Sequence, residues 1–137
     1  MRTLAQRIRE QKGAALIVDY GYFGDAHHDT LQAVKAHQFH PVLKEPGLAD
    51  ITAHVDFATL MKVASAEGVS VHGLTTQGRF LAAMGVDIRL ESLLRRATPE
   101  QKEPLISGVT RLISPQAMGD LFKVMAVTYG IEEPSGF

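Results

Sequence analysis

The chain has 137 residues, enough for one domain around a single core and too few for two of ordinary size. Its formal net charge of -1 argues against a general electrostatic grip on nucleic acid, though not against a local basic patch, and the lack of cysteine excludes disulfides and thiolate metal sites. No apolar run reaches the roughly eighteen residues of a membrane helix, so the 45% apolar and 21% charged residues read as a globular domain, with neither nucleic acid nor membrane expected as a partner.

The pattern predicts a helix over about Thr3 to Gln11, with Leu4, Ala5 and Ile8 as its apolar stripe and Gly13 as its stop. Arg2, Arg7, Arg9 and Lys12 also suit an organelle transit peptide, but Glu10 is present and serines are missing, which favours a surface helix. A strand follows over Ala14 to Tyr20. Ala14 to Val18 are all apolar, as in parallel strands covered on both faces. The strand runs directly into Asp19, Tyr20, Gly21 and Tyr22. Ligands of open α/β sheets bind beyond the carboxyl ends of strands, so these groups either face a pocket or simply build a turn.

Gly21 to Asp50 has no sustained period and reads as a long connection, with a short helix or strand near Thr30 to His37. In "VDFATLMKVASAEG" Asp56 caps a helix, Phe57, Leu60, Met61 and Ala64 form its buried stripe, and Gly68 ends it. "VSVHGL" is a strand. "TQGRFLAAMG" is a short helix capped by Thr76 and stopped by Gly85. "VDIRLESLLRRAT" is another, with Val86, Leu90, Leu93 and Leu94 inward. Thr98, Pro99 and Gln101 open the next helix as a capping box, and Pro104 is expected to kink or divide it. "FKVMAVTYG" closes the chain as a strand. The expected fold is α/β, a small mixed sheet of three strands with helices packed on it. Nothing in the chain before the first strand can pair with that strand's outer edge, which leaves it open to a missing part of a larger fold or to a second copy.

Candidate chemistry is concentrated at strand ends. Asp19 can orient a cation, Tyr20 and Tyr22 can offer ring faces to it, and Gly21 either shapes the pocket or turns the chain. "DITAHVDF" offers Asp50, His54 and Asp56, with His54 read as a pocket base or a half-buried hydrogen bonder. Gln77 lies beyond the second strand, near the expected entrance of a pocket. The six histidines (His27, His28, His37, His40, His54 and His72) raise a zinc reading, but they lack convergent ligand spacing, and no metal is expected.

"GAALIVDYGY", "DTLQAVKAHQFHPVLKEPGLADITAHVDFATL", "TTQGRFLAAMGVDIRLESLL" and "SPQAMGDLFKVMAV" resemble, in this order, the C-terminal half of the MidA-type methyltransferases. These are bacterial relatives of the mitochondrial protein arginine methyltransferase that assists complex I assembly. The similarity runs from about Leu4 to Thr128. It implies part of the seven-stranded S-adenosylmethionine-dependent methyltransferase sheet, with residues 1–137 as a single C-terminal half-domain. Ala14 to Tyr20 would be strand five, Val69 to Leu74 strand six and Phe122 to Thr128 an antiparallel strand seven, ordered five, seven, six.

The resemblance further implies S-adenosylmethionine in the parent protein, an arginine side chain of a protein as substrate, and Asp19, Tyr20, Gly21, Tyr22, His54 and Gln77 on the substrate side. The implied compartment is the cytoplasm, or the mitochondrion in a eukaryote. This chain contains no G-x-G and therefore no glycine-rich cofactor loop. No cofactor is expected on the chain alone, and it is expected to be inactive by itself. The alternative is a non-catalytic assembly module that forms homo-oligomers through the Ala14 to Tyr20 edge.

Overall fold

The computed structural model describes residues 1–24 and 29–137. The chain opens with α1 (Arg2–Gln11) and β1 (Gly13–Tyr22), then forms β2 (Gln32–Lys35), β3 (Gln38–His40), β4 (Asp50–Thr52) and β5 (Val55–Asp56). α2 (Phe57–Ala66), β6 (Ser70–Thr76), α3 (Gln77–Ala83), α4 (Val86–Leu94) and α5 (Pro99–Ile113) follow, and α6 (Met118–Leu121) and β7 (Phe122–Tyr129) complete it. The fold is α/β with a mixed sheet, as expected. No helix is long and apolar enough to cross a membrane.

The main sheet has the order β5-β1-β7-β6. β7 runs antiparallel to both β1 and β6, and β5 pairs in parallel with only the last residues of β1, Gly21 with Val55 and Tyr22 with Asp56. β7 is central, and Val124 to Thr128 are buried on both of its faces. One face carries the core: Ala5 and Ile8 of α1, Phe57 and Ala64 of α2, Val69, and Met125 and Val127 of β7. Arg2, Gln6 and Arg9 of α1 all reach Glu67, at 3.1, 3.1 and 3.0 Å, and fasten α1 to the end of α2.

Helix signals in the sequence hold closely. Asp56 accepts the Thr59 N–H at 3.1 Å and the Thr59 hydroxyl at 2.6 Å, so it caps α2 as predicted. Gln101 accepts the Thr98 N–H at 3.1 Å in the expected capping box. The hydroxyl of Thr59, then its N–H, hold the Asp56 carboxyl below its ordinary 3.8. A carboxylate depressed in the folded state contributes stability above its unfolded pKa and loses it as pH falls through the folded value. The melting-temperature gap between the native chain and Asp56→Ala is therefore expected to stay constant above about pH 5 and to close as pH falls below the ordinary carboxylate range; thermal melts across pH measure it.

Three expectations need correction. β2 bears out the short helix or strand expected near Thr30 to His37, whereas the rest of the stretch read as connection also holds β3 and the start of β4, which join β2 in a second sheet of order β3-β2-β4. With β5 added to the main sheet, the three expected strands become a four-stranded and a three-stranded sheet. Strands of two to four residues hold too few positions for alternation to be seen. β1 is not covered on both faces either: Ala15 and Ile17 pack on the core, whereas Leu16 and Val18 on the other face are 54% and 44% exposed. Lastly, of the kink or division expected at Pro104 the division does not occur, and α5 is one helix from Pro99 to Ile113. The carbonyl that Pro104 cannot bond, at Glu100, lies in the exposed first turn, where water serves it.

Candidate functional site

A cavity of about 450 Å³ lies at the carboxyl end of β1, lined by Tyr20, Gln32, Val34, Asp50, Thr52, His54, Arg111, Met118, Leu121 and Phe122. The register of the main sheet sets its aromatic part. Tyr20 is paired with Phe122 across the β1–β7 ladder, and their rings meet edge to face, with centroids 5.6 Å apart and planes at 89°. The His54 ring also meets Tyr20 edge to face, at 5.6 Å and 68°. The His54 N–H donates to the Thr30 hydroxyl at 3.2 Å, which fixes the loop between β4 and β5.

The small sheet supplies another wall. Gln32 is paired with Thr52 and Val34 with Asp50 between β2 and β4, and alternation along a strand puts these pairs on one face. The remaining wall comes from Arg111 in the last turn of α5 and from α6 with the start of β7. Asp50 and Arg111 thus border the same space, and among the described residues neither forms an ion pair. The arrangement offers ring faces, one carboxylate and one guanidinium around an apolar base. It can hold a cationic side chain, or one of each sign.

Among the sequence candidates, Tyr20 and His54 come together here. Asp19 does not join them: alternation turns it to the other face, and its Oδ1 accepts the Tyr20 N–H at 2.8 Å. Gly21 is buried between the chain at Val55 and the Phe57 ring, where a Cβ would come 2.8 Å from the ring. Tyr22 pairs with Asp56 at the β1–β5 ladder and does not line the cavity. Gln77 is buried and donates to the Leu112 carbonyl at 2.8 Å, so it ties α3 to α5 next to Arg111.

The histidines are dispersed. His37 sits exposed in the turn between β2 and β3, and His40 approaches Glu45 at 3.3 Å. His72 Nε2 is 2.8 Å from the Thr128 hydroxyl, while His27 and His28 lie outside the described residues. Among the described residues, no three or more His, Asp or Glu side chains converge as a metal site.

A larger, mostly apolar groove of about 550 Å³ runs between α4 and α5, lined in part by Leu93, Ala97, Pro104 and Leu105. Besides Arg96, its polar neighbours are Glu100 and Gln101, both engaged with Thr98. Gln101 belongs to the capping box, and the Thr98 hydroxyl holds the Glu100 carboxyl below its ordinary value. The cavity at β1 therefore has the stronger claim to chemistry.

Residues 1–75 match the sequence profile of a family described as "Putative S-adenosyl-L-methionine-dependent methyltransferase". The chain belongs to this methyltransferase family. It is 45% identical over 127 residues to the mitochondrial protein arginine methyltransferase NDUFAF7 of Danio rerio, which covers 93% of this chain and 30% of that protein. The NDUFAF7 homologue of Drosophila melanogaster is 45% identical over 130 residues, again 93% of this chain and 29% of the relative. The chain thus spans less than a third of the curated relatives it matches.

Two crystal structures from Burkholderia thailandensis, each 30% identical and matching 98% of this chain, superpose with TM-scores of 0.84 and 0.80. The match covers 38% and 37% of those chains, and the second structure is bound to S-adenosyl-homocysteine. The methyltransferase family profile spans α1 to most of β6 and so includes Tyr20, Asp50 and His54. Arg111 and Phe122 join them only through folding. In the sequence Asp50 is a candidate without an assigned role, and Arg111 gives no signal, because it is an exposed residue of α5 off the stripe of Leu105, Val109, Leu112 and Ile113.

Proposed function

We propose that this chain is the substrate-side portion of an S-adenosylmethionine-dependent methyltransferase that acts on an arginine of a protein. The observation that carries the reading is the cavity at the end of β1, where the rings of Tyr20, His54 and Phe122 border a space shared with the Asp50 carboxylate. A guanidinium is planar, delocalised and weakly hydrated, so it suits ring faces and one carboxylate better than an ammonium does. A shaped wall of this kind also limits which nitrogen is presented for transfer. The names of the relatives, protein arginine methyltransferases, support the same substrate class.

Methyl transfer needs S-adenosylmethionine, which supplies the electrophilic methyl when bound. The residues of this chain do not fit its carboxypropyl and adenosyl groups, because there is no G-x-G turn for close backbone approach. We assign that task to polypeptide outside these residues, and to this chain the holding and orientation of the acceptor side chain. On this reading β1, β7 and β6 are strands five, seven and six of the larger sheet. Leu16 and Val18, on the bare face of β1, are then covered by further polypeptide packed on that face. The open β1 edge would also allow self-pairing, but family membership favours the methyltransferase reading over an assembly module. The relatives named as mitochondrial suit a soluble mitochondrial setting in a eukaryote and the cytoplasm in a bacterium.

Titration of the chain with a short arginine peptide, followed by NMR, tests the site. Tyr20→Ala is expected to weaken binding about tenfold through the lost ring contact. A norleucine-for-arginine peptide that binds equally well would refute the guanidinium reading. Calorimetry with S-adenosylmethionine is expected to show no binding to this chain, and affinity of the ordinary enzyme range would refute the division of labour.

A further inference from the structure

Arg111 poses a problem for a cavity that takes a guanidinium. Arg111 lines the same 450 Å³ as Asp50, Tyr20 and His54, and among the described residues its guanidinium has no carboxylate partner. A lone arginine side chain entering there would meet Asp50 favourably and Arg111 unfavourably, and the repulsion is strongest where water is expelled. The last turn of α5 accounts for a cation at this position in the chain, since positive charge suits a helix C-terminus. It does not account for that cation bordering a cavity whose acid, Asp50, has no ion-pair partner among the described residues.

Resting on the reading above, we propose that the cavity selects an arginine accompanied by a nearby acidic residue, with Asp50 taking the guanidinium and Arg111 the carboxylate. A ligand carrying both signs turns the repulsion into a second charge-assisted contact. The volume suffices for an arginine side chain and a short acidic one together. Two different elements hold the two charges, Asp50 on β4 of the small sheet and Arg111 on α5. The spacing of acid from arginine in the ligand is thus set by how α5 is seated. The Gln77 amide fixes that seating through the Leu112 carbonyl, next to Arg111. Arg111 is on this account a specificity-determining residue.

The test uses the full chain and capped glycine peptides that carry one arginine and one glutamate at increasing glycine spacings, each matched by a glutamine analogue. At the best spacing the glutamate peptide is expected to bind about tenfold more tightly than its glutamine analogue. Arg111→Gln should bring that ratio close to unity while the preference for arginine over norleucine persists. Asp50→Asn should weaken both peptides. Arg111→Glu should invert the preference towards a peptide with lysine in place of glutamate, a gain that a misfolded variant cannot produce. Equal binding of the two peptides by the native chain, or an acid preference that survives Arg111→Gln, would overturn the proposal. Loss of the arginine preference with the acid preference intact would instead overturn the guanidinium reading, and no binding of any peptide would overturn both.

Discussion

Gly21→Val is expected to destabilise the chain by about 3 kcal/mol or more, at the upper end of overpacking costs, and to dismantle the β1–β5 pairing. A side chain at this position has nowhere to go. Its Cβ would overlap the backbone carbonyl of Val55 and lie 2.8 and 2.9 Å from two carbons of the Phe57 ring. A flexible side chain can yield, but a backbone carbonyl in a ladder and a fully buried ring cannot do so without moving β5 or α2. Displacing β5 also displaces His54, the residue just before it, from the Tyr20 ring. Urea denaturation should register the loss of stability, and the contact between the Tyr20 and His54 rings should vanish from NMR spectra. A variant of native stability that keeps this contact would mean that β5 does not lie against Gly21.

Phe57→Ala is expected to cost about 3–5 kcal/mol, the range for truncating a buried aromatic side chain. Phe57 is fully buried at the first position of α2, and it joins α1, α2 and β7 in one core. Few large side chains share that burden, so little nearby can close over the space. The unfolding midpoint in urea should fall with the slope unchanged. The two substitutions share a contact and should not add. Removing the ring relieves part of the clash made by a side chain at position 21, but the overlap with the Val55 carbonyl remains. A double variant is therefore expected to be less unstable than the sum of the single ones, yet less stable than Phe57→Ala alone. Simple additivity would show that the ring does not meet position 21.

These effects concern the site as much as stability. Gly21 and Tyr20 are neighbours in β1 and point to opposite faces. On one face Gly21 lets β5 and the Phe57 ring close on the strand; on the other Tyr20 meets His54 and Phe122. One residue works by lacking a side chain, while its neighbour works by presenting one. A sequence reading that groups Asp19, Tyr20, Gly21 and Tyr22 by proximity cannot separate these tasks, and of the four only Tyr20 lines the cavity.

Local rules made much of the chain legible. Caps and glycine stops gave α2, α3 and α5, because each depends on hydrogen bonds within a few residues, as Asp56 and Thr59 or Thr98 and Gln101 show. Long apolar runs gave β1 and β7, and the resemblance to a family gave their order with β6. Of the small sheet, β2 falls within the short helix or strand expected near Thr30 to His37, while β3 and β4 have three residues each, too few for a pattern, and gain their stability from pairing with β2.

By itself the sequence determined α1 to α5 and the principal strands, since each follows from contacts between near neighbours or from runs of one residue type. Only the tertiary structure decided which face of β1 stays bare and which residues border the cavity. Asp50, Arg111 and Phe122 come from β4, α5 and β7, and no local pattern records that packing brings them to Tyr20 and His54.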